Sequence, residues 1–196
     1  WGGVELGMSS AATVQLGRYY GFAVNVYGFS TNAHTLDAQN AFERGLNASL
    51  PALAGADELS GIGEMEAGVM GSFAQMVLDN ELAKSVHRQR QGLSVDAEHL
   101  AVEVIGNVMD SNRNYLASKH TLKHLRAGEM ALTKLAERNS WDTWEDKMGR
   151  KQMADNATDE AERILREHQV TPLDPAQEAE LDKILAAAER ETVKKK

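Results

Sequence analysis

The sequence contains no cysteine. Disulfides, thiolate metal ligands and cysteine nucleophiles are therefore excluded from these residues. Proline is scarce, three in 196 residues, so the breaks that it marks are few. No apolar run reaches the about 20 residues that cross a bilayer. No basic segment precedes a long apolar core, so no signal peptide is expected. Positive charge is also short. Lys and Arg total 21 against 29 Asp and Glu, a formal net charge of -8. Such a chain repels phosphate backbones, which argues against nucleic acid as a partner. The basic end, Lys194 to Lys196, reads as a solvated terminus. These features fit a cytoplasmic protein without a membrane partner. The first residue is Trp1 rather than methionine, so the chain is expected to begin inside a longer gene product or to have been processed.

What is present reads as alternating helices and strands. Met8, Ala11, Ala12, Leu16 and Tyr19 or Tyr20 fall at helical spacing, which predicts a helix over 8–20 ended by Gly21. Residues 23–29, AVNVYGF, are short, β-branched and aromatic, and predict a strand. A polar loop over 30–35 leads to a helix from about 37 to 54, with Pro51 marking a kink or a break near Ser49. A weaker strand is expected near 57–62, then a glycine-bounded loop, GEMEAG. A long helix follows over 69–90, with Met70, Phe73, Met76, Val77 and Leu82 on its buried side and Gly92 as its stop. This order implies βα units and a parallel sheet. Two parallel strands cannot make a stable sheet alone. The fold class expected is therefore α/β, the last units of a (β/α)8 TIM barrel. After Gly92 the chain reads as helical and charged, with helices over 97–109 and 121–138 and a short one carrying Trp141 and Trp144. An amphipathic helix runs on to about His168, and a last one is capped by Asp174. Two parts are thus expected, a barrel segment over 1–92 and a helical extension over 93–196.

Active-site groups of a barrel sit in the loops that follow its strands. The first such loop, Ser30 to Thr35, holds His34, which could pass a proton, hold a carboxylate or bind a metal, with Asn32 and Asp37 as partners. The plainer alternative is that Asp37 caps the next helix and His34 is solvated. The second loop holds Glu64 and Glu66, which could face a cationic substrate or simply favour the positive end of a helix. It lacks the Lys and Ser/Thr of a phosphate-binding loop. Tyr27, Phe29 and Phe73 could meet a quaternary ammonium by cation–π attraction, or could be core. His120 and His124 stand at i, i+4, a zinc-ligand spacing, but no acidic third ligand follows. They read as surface residues, and no metal is expected.

Three stretches carry a resemblance to a known family: QLGRYYGFAVNVYGFSTNAHTLDAQNAFERGL, PALAGADELSGIGEMEAGVMGSFAQMVLDNE and KHTLKHLRAGE. They resemble the trimethylamine methyltransferase family over nearly the whole chain. The resemblance implies a cytoplasmic TIM-barrel enzyme about twice this length or more. Such an enzyme moves a methyl group from a tertiary or quaternary amine to Co(I) of a cobalamin, which a separate corrinoid protein carries. The founding members place pyrrolysine in a loop of the form Ser-Asp-Ala-pyrrolysine. Here the matching loop reads Thr31-Asn32-Ala33-His34, so His34 falls at or beside that position. The branch without pyrrolysine is associated with quaternary amines such as glycine betaine. By this resemblance His34 is the expected catalytic residue, and Asn32, Tyr27, Phe29, Glu64 and Glu66 are expected to bind substrate. Assembly into a homo-oligomer is also expected. A trimethylamine enzyme and a non-catalytic barrel remnant that serves assembly remain open alternatives.

Overall fold

A Schellman cap defines the end of the first helix, α1, Val4–Tyr19. Gly21 takes φ 74, and Phe22 N–H and Gly21 N–H donate to Gly17 O and Arg18 O. The chain then enters β1, Asn25–Tyr27, followed by α2, Ala38–Ala54, and β2, Glu58–Ser60. The computed structural model describes residues 1–193, so the terminal lysines lie outside the described residues. β1 and β2 pair in parallel, with Asn25 beside Glu58, Val26 beside Leu59 and Tyr27 beside Ser60. The expected parallel pairing is present. Both strands are shorter than their hydrophobic runs.

The glycine-bounded loop is more ordered than its composition suggests. β3, Glu64–Met65, pairs antiparallel with β4, Met70–Gly71, around a tight turn at Glu66–Gly68. That pairing takes up the residues expected to start the next helix. α3 therefore begins late and covers Phe73–Gln91, with the Ser72 side chain accepting from Gln75 N–H. α2 runs through Pro51 without the expected break. Near a helix end a proline removes a single backbone bond, which the helix tolerates.

The helices bury faces other than the apolar ones read from spacing. α1 turns Leu6, Gly7, Ser10 and Val14 inward, and leaves Met8, Leu16 and Tyr19 exposed. α2 buries Asn40, Arg44, Asn47, Ala48 and Ala52. α3 buries Gln75, Asp79, Glu81 and Val86, while Phe73 and Met76 are exposed. Small residues let these helices approach closely, and buried polar groups then set their rotation. Two apolar clusters remain. Val14, Val24, Val26 and Ala56 lie between α1 and β1, and Phe29, Ala48, Ala52 and Val86 lie between the strand end, α2 and α3.

Beyond Gly92 the elements are short: α4, Ala97–Leu100; α5, Val102–Met109; α6, Lys119–Arg126; and α7, Trp141–Asp146. Ala101 adopts φ 51 and splits the single helix expected over 97–109. α6 stops twelve residues before the expected 138, because Gly128 at φ 85 forms a second Schellman cap. Its N–H donates to Leu125 O, and Glu129 N–H donates to His124 O. Trp141 and Trp144 do meet, with ring centroids 5.0 Å apart. α8, Met153–Glu167, and α9, Pro175–Val193, complete the chain, and Asp174 accepts from Ala176 N–H at the start of α9. The chain divides into two compact units, Trp1–Glu162 and the residues from Arg163 onward. No helix among the described residues is long and apolar enough to cross a membrane.

The two-stranded sheet is covered on one face only. Val24 and Val26 are buried, whereas Asn25, Tyr27 and Glu58 are exposed. Each strand also has a free edge, and Trp1, Tyr19 and Phe22 are exposed nearby in sequence. Exposed large apolar side chains forfeit about 1.5–3 kcal/mol each, and open parallel edges invite association. Residues 1–196 produced alone should therefore elute as oligomers or aggregate in size-exclusion chromatography. A monomeric peak with a sharp, reversible thermal melt is the contrary result.

Candidate functional site

The two loops that leave the C-terminal ends of β1 and β2 are joined through their backbones. Ala67 N–H donates to Thr31 O at 2.8 Å, and Glu66 N–H donates to Ala33 O at 3.1 Å. Both donors sit in left-handed backbone, at φ 50 for Glu66 and φ 54 for Ala67. That conformation costs about 1–2 kcal/mol for a residue with a Cβ. It persists here because the neighbouring loop holds it by these two bonds. The product is one contact between side chains: His34 Nε2 lies 3.5 Å from Glu66 Oε1, with the two side chains 71% and 43% exposed. So exposed a pair adds little to stability. Its content is geometric, an imidazole and a carboxylate aimed at each other on a rim open to solvent.

The first loop is also held from below. Glu43 on α2 accepts from Thr31 Oγ1 at 2.6 Å and from Asn32 N–H at 2.7 Å. Burial pushes the Glu43 carboxyl up, but the bonds from Thr31, Gln39 and Asn32 outweigh it and hold the group below the usual range. Asn47 donates to Ser30 O and Gly2 O, at 3.1 and 2.7 Å. Gly2 packs so close to this loop that a Cβ there would lie 2.3 Å from Asn32 N. Asp37 caps α2 by accepting from Asn40 N–H, and it also accepts from Thr35 Oγ1. The Asn40 bond, helped by Thr35, holds its carboxyl below the usual carboxylate range. Asp37 is thus a capping residue rather than a partner of His34.

The other expected residues are placed as follows. Glu64 stands in β3, half-buried, with its carboxylate beside Gly68. Asn32 contributes its backbone N–H to Glu43. Tyr27 is exposed on the bare face of the sheet, edge-to-face with Trp1 at 6.4 Å. Phe29 departs from expectation. It is 3% exposed and packs with Ala48, Ala52 and Val86. The side chain falls on the helix side of the strand end, so it serves the core and not the rim. Phe73 is exposed at the first position of α3.

A buried ion pair fixes where both loops begin, and spacing gave no sign of it. Arg44 Nη1 donates to Asp79 Oδ2 at 2.7 Å and to Phe29 O at 2.8 Å. Asp79 Oδ2 also accepts from Gly63 N–H at 2.7 Å, and Oδ1 accepts from Gln75 Nε2 at 2.8 Å. Both side chains are at most 2% exposed. Burial pushes the Asp79 carboxyl up to about 6, against the opposing pull of Arg44, Gly63 and Gln75. A cavity of about 440 Å³ opens between α2 and α3 over this pair, lined by Leu78, Leu82, Thr133 and Met153 among others. It does not include His34 or Glu66. The sequence signal available was a lone Arg on the inward face of one helix and a lone Asp on that of the next, which becomes a pair only once the helices are packed. Replacing Arg44 or Asp79 singly with Ala should destabilise the protein by about 3–5 kcal/mol in urea unfolding, because an uncompensated charge stays buried. The double change Arg44→Ala with Asp79→Ala should cost clearly less than the two single losses added together. Strict additivity would show that the pair is not coupled.

A family model described as trimethylamine methyltransferase matches residues 1–192. The trimethylamine methyltransferase MttB of Methanosarcina barkeri is 37% identical over 173 residues, 88% of this chain and 34% of its own length. The protein of the same name from Desulfitobacterium hafniense is 35% identical over 190 residues, 97% of this chain and 38% of its own length. A glycine betaine methyltransferase of Desulfitobacterium hafniense is 27% identical over 192 residues, 97% of this chain and 39% of its own length. The chain thus spans between a third and two fifths of the length of these relatives.

Proposed function

The chain belongs to the trimethylamine methyltransferase family, and from that premise we propose that it forms part of an enzyme that demethylates a quaternary or tertiary amine of the glycine betaine kind. The acceptor in this reading is cobalamin in its Co(I) state, carried by a separate corrinoid protein. The observation that supports a site here is the His34–Glu66 pair, set where the loops after two adjacent parallel strands are stitched together. In this reading β1 and β2 are neighbouring strands of a TIM barrel. α2 and α3 lie outside it, and the bare face with Asn25, Tyr27 and Glu58 turns toward its interior.

The chemistry asks little covalent work of these residues. A carbon–nitrogen bond breaks, its electron pair stays on nitrogen, and a permanent positive charge on nitrogen makes the amine a better leaving group. The corrinoid, when bound, supplies the nucleophile that takes the methyl group. The exposure of His34 and Tyr27 suits a corrinoid that arrives on its own protein. Glu66 attracts the ammonium, and His34, 3.5 Å from that carboxylate, stands beside it and limits where it can point. Tyr27 offers a ring face to the cation, and Glu64 adds negative charge. Holding the ammonium so that a methyl group faces the acceptor is the catalytic contribution.

A second reading, trimethylamine as the donor, is favoured by the identities of 37% and 35% to trimethylamine enzymes against 27% to the glycine betaine enzyme. His34 in place of the reactive residue implied by the resemblance argues the other way.

The test offers glycine betaine, carnitine and trimethylamine in turn to the full-length protein with reduced cobalamin, following methylcobalamin by its absorbance. Turnover of a quaternary amine is expected. Turnover of trimethylamine alone selects the second reading, and turnover of none removes the proposal. His34→Ala should lower kcat/KM by about 10²-fold, the cost of a misaimed substrate, with circular dichroism unchanged. Glu66→Gln should raise KM about tenfold, equivalent to about 1.4 kcal/mol. Wild-type kinetics in both variants would refute these roles.

A further inference from the structure

Imidazoles and carboxylates gather at a second place, well outside the His34 rim in sequence. His99 lies in α4, and His120 and His124 share one face of α6. The rings of His99 and His124 are 4.9 Å apart, and those of His120 and His124 are 4.3 Å apart. Two carboxylates flank them: Glu129 Oε1 lies 3.5 Å from His99 Nε2, and Glu98 Oε1 lies 3.5 Å from His124 Nε2. The third, acidic ligand that spacing along α6 did not supply is brought in by α4 and by the Gly128 turn. Ligand atoms of His99, His124 and Glu129 all fall within 4.8 Å of one another, as do those of Glu98, His120 and His124.

The two sets are not equally free to bind. His99 Nδ1 stands 2.7 Å from Asp96 Oδ1, so Nδ1–H donates to that carboxylate and the lone pair on Nε2 faces the cluster. A carboxylate behind an imidazole is the usual way a metal-binding histidine is oriented. Glu129 is fixed from its other side. Arg88 on α3 donates Nη2–H to its Oε2 and Nε–H to its main-chain O, both at 2.9 Å, which leaves Oε1 toward His99. His124 Nε2 is buried and has no hydrogen-bond partner. In the competing set His120 Nε2 already lies 2.9 Å from Glu98 O, and the Glu98 carboxylate is taken by Lys123. Tetrahedral ligands at zinc bond lengths lie roughly 3.4 Å apart, close to the 3.5 Å that separates His99 Nε2 from Glu129 Oε1.

We infer that His99, His124 and Glu129 form a binding site for a divalent transition-metal ion of the zinc class. Two neutral imidazoles and a carboxylate are the donor set that such ions prefer. The ion has structural work to do. Over residues 93–140 the buried apolar side chains among the described residues are Val108 and Leu135, and the helices there are at most eight residues long. Segments with so little core are held by staples, of which a metal ion is one. Here it would tie α4 and α6, through Glu129, to Arg88 on α3.

The full-length protein, stripped with a chelator and dialysed, is titrated with Zn²⁺ and separately with Co²⁺. One equivalent should bind, Co²⁺ should give the visible bands of a tetrahedral site, and the ion should raise the Tm. His124→Ala and Glu129→Gln should each weaken binding at least about tenfold, and Asp96→Asn about tenfold through the loosened His99 ring. Glu98→Gln should leave it unchanged. Glu129→Gln, being isosteric, carries the test if His124→Ala loses its fold by circular dichroism. No stoichiometric uptake overturns the site, as does uptake indifferent to both ligand changes. Binding lost with Glu98→Gln but kept with Glu129→Gln overturns this ligand set.

Discussion

The ion pair between Arg44 and Asp79 is the interaction on which the rest of the first 92 residues depends. One guanidinium nitrogen reaches both the carboxylate and Phe29 O, and the same carboxylate oxygen reaches Gly63 N–H. The end of β1, the middle of α2, the turn after β2 and α3 therefore meet at two side chains. Moving such charges out of water costs several kcal/mol per ion even after relaxation, and Nε and Nη2 of Arg44 find no hydrogen-bond partner. The carboxyl of Asp79 rises from 3.8 to about 6 on folding. A group whose folded value is the higher one contributes stability below its unfolded value and loses it as the pH rises through the folded value. By that sign the ionisation of Asp79 costs stability between pH 3.8 and about 6, and its effect is level above. What the pair supplies at neutral pH is position. It makes one rotation of α2 and one of α3 satisfy a buried charge, and every other rotation strand it.

The rim inherits its geometry from that arrangement. Phe29 O is one residue before the first loop, and Gly63 N–H opens the second. With both anchored, the loops lie close enough for Thr31 O and Ala33 O to receive the amides of Ala67 and Glu66, and for those two residues to stay left-handed. Glu43, one residue before Arg44 on α2, secures Thr31 and Asn32. Each step uses a polar group where a larger hydrophobic core would have used packing. That pattern explains why the inward helix faces carry Asn40, Asn47, Gln75 and Asp79. The residues after Gly92 continue it with Glu129, held by Arg88 of α3, and the histidines near it. Polar groups that demand partners fix a geometry that a thin apolar core could not.

Much of the architecture was legible without coordinates. The short β-branched run before a polar loop marked β1, glycines at 21, 55 and 92 sit where helices stop, and the alternation of strand and helix implied the parallel pairing that is present, whereas the stop at Gly128 was missed. Asp37 as a cap was legible too, because a short acidic side chain before a helix has one obvious use. His34 and Glu66 were each suspected from the loops that hold them, and the structure places them 3.5 Å apart. The Arg44–Asp79 pair was not legible, since neither residue belongs to a periodic apolar face or a recognisable motif. Helix phase was misread for the same reason: Met8, Leu16, Phe73 and Met76 obey helical spacing yet are exposed.

By itself, then, the sequence determined the order of the main helices and parallel strands over the first 92 residues, the stops of those helices and the family. Local propensity, turn chemistry and long ordered motifs carry those, and they act over a few residues or by likeness along the chain. Only the tertiary structure decided which face of each helix turns inward, that Phe29 serves the core, and that His99, His124 and Glu129 share one place. These depend on residues 35, 25 and 30 positions apart, for Arg44 and Asp79, for His99 and His124, and for His99 and Glu129. Charge and hydrogen-bond satisfaction act through space at a few ångströms, and no periodicity along the chain records which distant groups will meet.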